Sequence, residues 1–413
     1  QSLIGIPAFL LLAALLSRSR REISPRLVAA GLTLQLFLAV LLLKLPFSKT
    51  VFLFLNRAVM ALEQATQAGT SFVFGYLGGG EAPFEVVNEA AGYILAFRAL
   101  PLVLMLSALS SLLFYWRILP VVVKGFSRLL EKTLRTGGAE GLGVAANVFM
   151  GMVEAPLFIR PYLGRLTTSE LFTVMTCGMA TIAGTVMVLY ASILSDVVPN
   201  VLGHILAASL INAPSAVLIS KILIPETSPV TSGEITNPEE ARNSIDALTK
   251  GSLRGVQLVL NIVAMLIVLV SLIALINMLI QALLPQVGGE ALTLQRLLGF
   301  IMAPIVWLMG IPWSESVTAG GLMGTKTIIN ELVAYLEMSR LPESALSERS
   351  FVIMTYAMCG FANPGSLGIM IGGLGTMAPE RRSDIVALGP MSIVAGTLAT
   401  CLTGALVGAL GVG

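Results

Sequence analysis

The stretch Thr355-Tyr-Ala-Met-Cys-Gly-Phe-Ala-Asn-Pro-Gly-Ser366 decides how this chain folds. It lies inside an apolar run at about 351–378, long enough to cross a bilayer as a helix. Pro364 has no amide hydrogen and cannot continue the helical ladder, and Gly365 adds no stiffness. A spanning helix interrupted there exposes unpaired backbone groups at mid-membrane, with Asn363 and Ser366 beside them. Broken helices of this kind build substrate and ion sites in secondary transporters.

The pattern Thr-x-x-x-Cys-Gly-x-Ala within that stretch, Thr355 to Ala362, has an earlier copy. It is Thr173-Val-Met-Thr-Cys-Gly-Met-Ala180, 182 positions upstream, followed by Thr181 as the polar residue and Gly184 as the weak point. Each copy follows a glutamate set in sequence apolar enough for lipid. Glu154 lies in Asn147-Val-Phe-Met-Gly-Met-Val-Glu-Ala-Pro156, and Glu331 lies in Gly324-Thr-Lys-Thr-Ile-Ile-Asn-Glu-Leu-Val333, 177 positions later. A carboxylate at bilayer depth costs roughly 2.5–3.5 kcal/mol, so it needs a partner, a cavity or a function. An internal repeat built around such groups points to a transporter. Plainer readings remain beside it. The broken helices could be kinked packing helices, Glu154 a tip carboxylate held by backbone amides, and Glu331 the ion-pair partner of Lys326, five residues earlier.

Composition agrees with a membrane protein. The 413 residues are 56% hydrophobic and 12% charged, against about 25% charge in a soluble domain. The mean hydropathy is +0.89. Long apolar runs fit helices rather than the weak alternation of an outer-membrane barrel. A net charge of +2 makes no case for a nucleic-acid partner, and membrane lipid is the expected surrounding. Cys177, Cys359 and Cys401 all fall in apolar segments without metal-ligand spacing and read as reduced packing residues. With His204 the single histidine, histidine-based catalysis has little to stand on, and no enzyme is expected.

Apolar stretches fit for spanning run at about 2–16, 27–45, 92–115, 166–194, 199–224, 253–284, 351–378 and 385–411. The first lacks a signal peptide's basic start and cleavage site and reads as a retained helix. Two further segments, about 143–164 and 298–335, are apolar but interrupted by Gly, Pro and charge. They read as hairpins that enter the membrane and turn back. The expected fold is therefore all-α and integral to the membrane: eight transmembrane helices plus two re-entrant hairpins in inverted repeats, with discontinuous helices at the midplane.

Positive charge sets the orientation. Arg18, Arg20, Arg21 and Arg26 follow the first helix and place that loop inside, which leaves the N- and C-termini outside. Alternation also brings Arg117, Lys221, Arg242, Lys250, Arg254, Arg381 and Arg382 inside, and the outer turn Ser195 to Asn200 carries no basic residue. Lys124, Arg128, Lys132 and Arg135 recur every three or four residues beside Leu129, Leu130 and Leu134, as in an amphipathic helix lying on the cytoplasmic surface. Glu226 to Ala247, with its prolines, reads as a flexible loop.

Convergent polar groups from two inverted halves define a midplane binding site. An ionised carboxylate only accepts hydrogen bonds, so the ligand must bring hydroxyl or N–H donors, as a neutral polyol-like molecule does. At these residues the chain resembles the concentrative nucleoside transporter family in its bacterial eight-helix form. The resemblance runs over essentially the whole chain and rests on Gly151-x-x-Glu154-Ala-Pro, Ala180-Thr-Ile-Ala-Gly184, Pro312-Trp-Ser-Glu315, Asn330-Glu331-x-Val-Ala-Tyr335 and Cys359-Gly-Phe-Ala-Asn363-x-x-Ser366.

The resemblance implies a homotrimer that imports nucleosides such as uridine, driven by sodium or protons, across the bacterial inner membrane. It implies scaffold helices one to three in 1–115 and helix six in 253–284, with a mobile transport domain from 116–252 and 285–413. Glu154 resembles the base-contacting glutamate of the first hairpin, with Gly151 beside it. Glu331, Asn363 and Ser366 match ribose-contacting residues, and Val186, Leu258 and Phe361 fall where the family packs around the nucleoside. For a sodium ion, the implied ligands are Asn147, Thr181 and the carbonyls of Met150 and Ile182. One departure stands out: many members read Gly-Gln-(Thr or Ser)-Glu where this chain reads Gly151-Met-Val-Glu154, and Met152 and Val153 make no side-chain hydrogen bonds to a base. A sodium-coupled nucleoside importer is the leading expectation. Proton coupling through Glu154 or Glu331 is its rival, and a channel or an intramembrane enzyme using those two glutamates stands further off.

Overall fold

The computed structural model describes residues 1–85, 94–152, 154–233, 241–284, 286 and 291–411, and these contain helices, turns and no strand. α1 (Ser2–Leu15) and α2 (Pro25–Leu43) lead into α3 (Pro46–Phe74). After α4 (Leu95–Arg98) and α5 (Pro101–Tyr115), α6 (Ile118–Leu134) precedes the first hairpin. The chain continues through α7 (Gly138–Phe149), a 3₁₀ segment (Ala155–Arg165), α8 (Thr168–Ala180), α9 (Gly184–Leu194) and α10 (Val201–Leu223). α11 (Ser244–Leu283), α12 (Leu294–Leu308), α13 (Trp313–Ile328) and α14 (Glu331–Ser339) lead to α15 (Glu348–Met358), α16 (Pro364–Met377) and α17 (Arg382–Ala409).

Six stretches of helix among the described residues are long and apolar enough to cross a membrane: 25–43, 95–115, 168–194, 201–223, 244–283 and 379–409. Two of the eight expected spans fall short for physical reasons. α1 has only 14 residues, about 21 Å at 1.5 Å per residue. The 351–378 span is divided into α15 and α16 by the break at Cys359–Asn363.

The first hairpin forms as expected. α7 runs to a tip that carries Met150, Gly151, Met152 and Glu154, and the 3₁₀ segment returns, with Ile159 packed where Gly143 leaves room. The second hairpin begins later than 298. α12 is a separate helix packed across α13, bent from it by 116°. The hairpin itself is α13 and α14, folded back at Ile329–Asn330 so that Thr325 donates to Glu337 at 2.9 Å. At its open end Ser347 donates to the Glu315 carboxylate at 3.1 Å. Pro304 and the Gly310–Pro312 turn look alike in sequence as interruptions of one apolar segment, which is why the boundary was concealed.

α6 bears out the amphipathic reading. Val123, Ser127, Leu130 and Leu134 are buried at helical spacing, while Lys124, Arg128, Lys132 and Arg135 are exposed. The 29-residue α3 has no counterpart among the expected elements, because its scattered polar residues break the hydropathy signal. The loop after α10 is anchored at its start: Thr231 donates to Glu170 through both its amide and its hydroxyl at 2.7 Å. Lys221 bridges Glu140 at 2.9 Å and Glu226 at 3.2 Å beneath it. A buried ammonium needs such partners, and here two carboxylates and the Ser169 hydroxyl supply them.

Candidate substrate and ion site

The two breaks cross at the centre of the molecule. A methyl group on Gly360 would lie 2.7 Å from the Met179 carbonyl oxygen, so the second break passes directly over the end of α8. A methyl on Gly184 would lie 2.6 Å from the Phe149 carbonyl, so the start of α9 meets the first hairpin tip just as closely. Only glycine admits these approaches. They bring both hairpin tips and both interrupted helices to one place.

There a cavity of about 390 Å³ opens between these elements and the long helix α11. Gly151, Glu154, Val186, Leu258, Glu331, Phe361, Asn363 and Ser366 all line it, as does Met152. Every residue that the sequence nominated for substrate therefore faces one space of ligand size. Val153 lies outside the described residues. A smaller cleft shares Glu154, Thr185 and Arg254 with this cavity and continues along α5 to Lys250.

Asn363 organises the second half of the site. Its Oδ1 accepts the Ser366 amide at 2.8 Å, capping α16 immediately after the break. Its Nδ2 donates to Glu331 at 3.2 Å. The other Glu331 oxygen accepts the Tyr190 hydroxyl at 2.6 Å. The expected alternative, an ion pair between Glu331 and Lys326, is not made: the Lys326 ammonium has no hydrogen-bond partner among the described residues. In the first half, the Gly151 amide donates to Glu154 at 3.3 Å, so tip backbone and cavity both face this carboxylate.

Of the four sodium candidates, Asn147 and Thr181 meet directly. The Asn147 side chain is buried; its Nδ2 donates to the Gly143 carbonyl at 2.9 Å and its Oδ1 has no partner. The single proton of the Thr181 hydroxyl is shared between the Cys177 carbonyl at 2.8 Å and the Asn147 carbonyl at 3.1 Å, which leaves its lone pairs free to face a cation. Met150 caps α7, and Ile182 lies in the unwound break after α8. Neutral oxygens at an unwound break suit an alkali cation, and an orphaned buried oxygen is what such an ion would satisfy. Clusters of three or more His, Cys, Asp or Glu suited to a metal are absent among the described residues.

Sequence reasoning missed Tyr190, Gln257 and Asn261, and it placed Arg254 only as a cytoplasmic charge. Arg254, Gln257, Leu258 and Asn261 share one face of α11 and line the cavity. Their spacing of three and four in an otherwise apolar helix was the available signal. Tyr190 gave none, since a tyrosine in an apolar segment reads as packing.

Two repeated halves that bring convergent polar groups into one cavity define a secondary transporter. Comparison with known proteins narrows the class. The chain matches the Na+ dependent nucleoside transporter C-terminus over residues 204–408. It matches the corresponding N-terminus over 4–77 and the nucleoside recognition gate over 96–197. It is 39% identical to an uncharacterized transporter of Haemophilus influenzae, over 98% of this chain and 96% of that one. With the nucleoside permease NupC of Helicobacter pylori it shares 33% identity, over 98% and 96% of the two chains. The structure of CNTnw in an inward-facing substrate-bound state superposes with a TM-score of 0.90 at 38% identity, covering 98% of each chain. This chain belongs to the concentrative nucleoside transporter family, and it is a multi-pass membrane transporter of nucleosides rather than an enzyme.

Proposed function

We propose that the chain is a sodium-coupled symporter that imports nucleosides such as uridine across the bacterial inner membrane, with both termini outside. The observation that carries this reading is the orphaned Oδ1 of buried Asn147, a residue whose backbone carbonyl meets the Thr181 hydroxyl and which lies just before the hairpin tip that bears Glu154. An ion held there by Asn147, Thr181 and the carbonyls of Met150 and Ile182 would supply positive charge close to the substrate cavity. Sodium would fix the tip against the break after α8, and Gly151 and Glu154 would then meet the base in an ordered position. Glu331, Asn363 and Ser366 take the ribose hydroxyls, while Val186, Leu258 and Phe361 close around the rings. A carboxylate whose acceptor sites face sugar hydroxyls also explains why a free base would bind poorly.

Movement follows from where the cavity lies. α11, packed along α5, forms one wall, and the hairpins with the broken helices form the other. The latter group is the body that carries substrate in alternating access, with α5 and α11 as scaffold within a homotrimer. α1 and α2, also in the proposed scaffold, pack on α17 and α10 and so lie against the moving side. At a potential of about 100 mV one sodium ion supplies roughly 2.3 kcal/mol, which supports on the order of fifty-fold accumulation before any sodium gradient is added. Uridine uptake into proteoliposomes at equal pH tests the proposal. An inward sodium gradient should drive accumulation; uptake that ignores sodium and follows an imposed pH gradient would establish proton coupling instead.

A further inference from the structure

Lys326 is wholly buried in α13, and its ammonium has no hydrogen-bond partner among the described residues. Leaving a lysine in that condition costs several kcal/mol unless nearby charge offsets it. Its ammonium lies within electrostatic range of the Glu331 carboxylate and of the thiols of Cys359 and Cys401. Cys359 is the residue at which α15 ends and the second break begins.

The position acquires meaning from the inverted repeat. Asn147 lies two residues before the end of α7, which runs into the first hairpin tip. Lys326 lies two residues before the end of α13, which runs into the second. Asn147 meets the residue that ends α8, Thr181, and the Lys326 ammonium lies within electrostatic range of the one that ends α15, Cys359. The first half thus presents an orphaned oxygen that lacks a cation, while the second presents an orphaned cation. Each half also holds one glutamate at its tip, Glu154 and Glu331.

We propose that Lys326 is a tethered cation: its ammonium takes, in the second half, the place that sodium takes in the first, and it balances Glu331 so that one sodium ion suffices per nucleoside. The inference rests on the sodium coupling proposed above. The long-range placement of the ammonium suits the role, because a direct ion pair would occupy the carboxylate lone pairs that ribose hydroxyls need. A fixed positive charge also travels with the moving body in both directions, so it adds nothing to the charge moved per cycle.

The test measures uridine binding to purified protein by calorimetry across a sodium series. Wild type should show a sodium Hill coefficient of about one, as one site requires. Lys326→Met removes the charge without offering an oxygen. It should weaken uridine binding by about tenfold or more at every sodium concentration, as loss of a buried charge's partner implies. Lys326→Asn gives the second half the residue type of the first. It should bind poorly at low sodium, recover at high sodium, and show a Hill coefficient approaching about two. Wild-type affinity and an unchanged sodium curve in Lys326→Met would overturn the inference, and so would a wild-type Hill coefficient near two. If neither variant folds, the ratio of sodium to uridine flux in wild-type proteoliposomes decides: one to one upholds the tethered cation and two to one overturns it. Binding and uptake indifferent to sodium in wild type would instead defeat the coupling proposal, and the tethered cation with it.

Discussion

Glu331→Gln is the sharpest perturbation of the proposed ribose site. In the structure one Glu331 oxygen accepts from Tyr190 at 2.6 Å and the other from Asn363 at 3.2 Å. The amide that replaces it keeps one acceptor and turns the other into a donor. Its oxygen can still satisfy Tyr190, so the fold should survive, but its NH₂ then meets either the Asn363 NH₂ or a ribose hydroxyl that sought an acceptor. A hydrogen bond to a charged group contributes about 1.5–3 kcal/mol, so uridine affinity should fall by about ten- to a hundredfold. Calorimetry on protein whose melting curve matches wild type provides the measurement. Tyr190→Phe supplies the control for mechanism. It frees the carboxylate to rotate and should weaken binding by about 1 kcal/mol, yet add little in the Glu331→Gln background, where the oriented charge is already lost. Wild-type uridine affinity in folded Glu331→Gln, or fully additive losses in the double variant, would refute the reasoning.

Thr181→Val keeps the shape of the first break but removes the hydroxyl that faces the proposed ion, so the sodium needed for half-maximal uridine uptake should rise, while Thr181→Ser stays near wild type. Met152 offers the base an apolar wall, and one extra or missing group against such a wall is worth only about 1–3 kcal/mol. Competition assays should therefore show uridine and at least one purine nucleoside within about a hundredfold of each other, with Met152→Gln plus Val153→Thr sharpening the preference. At the end of α10, burial works to raise the Glu226 carboxyl above its ordinary 4.5, but the Thr167 hydroxyl, the Lys221 ammonium and the Ser228 amide outweigh it and lower it. A lowered value in the folded protein stabilises above the unfolded value and is lost as pH falls through the folded one. Melting temperature should thus decline below about pH 4.5, and Glu226→Gln should remove part of that decline.

The fold was legible where polar residues interrupt apolar runs for a local reason. Pro364 and Gly365 announced one break, and Thr181 with Gly184 announced the other. The repeated order of glutamate, hairpin and broken helix then fixed which residues meet, since both tips must approach both breaks. The second hairpin's start was not legible, because α12 and α13 fall within one interrupted segment and only tertiary packing shows which of them pairs with α14. α3 escaped for the opposite reason: its polar residues erased the hydropathy peak. Within the site, Glu331 stood out because a charge in lipid demands an explanation, whereas Tyr190 did not, since its hydroxyl matters only once α9 and α14 are side by side. Lys326 was visible as a charge, but its failure to pair with a glutamate five residues away is a fact of rotamer and helix direction that no spacing rule contains.

The central claim is that sodium at Asn147 and Thr181 and a nucleoside at Glu154 and Glu331 bind as one coupled pair. Linkage requires each to tighten the other by the same factor. The direct measurement is uridine affinity by calorimetry in sodium and in choline at fixed pH and ionic strength, with sodium affinity measured in turn with and without uridine. The account predicts tighter uridine binding in sodium, an equal gain for sodium when uridine is present, and loss of both gains in Thr181→Val. Equal uridine affinity in sodium and choline would contradict it.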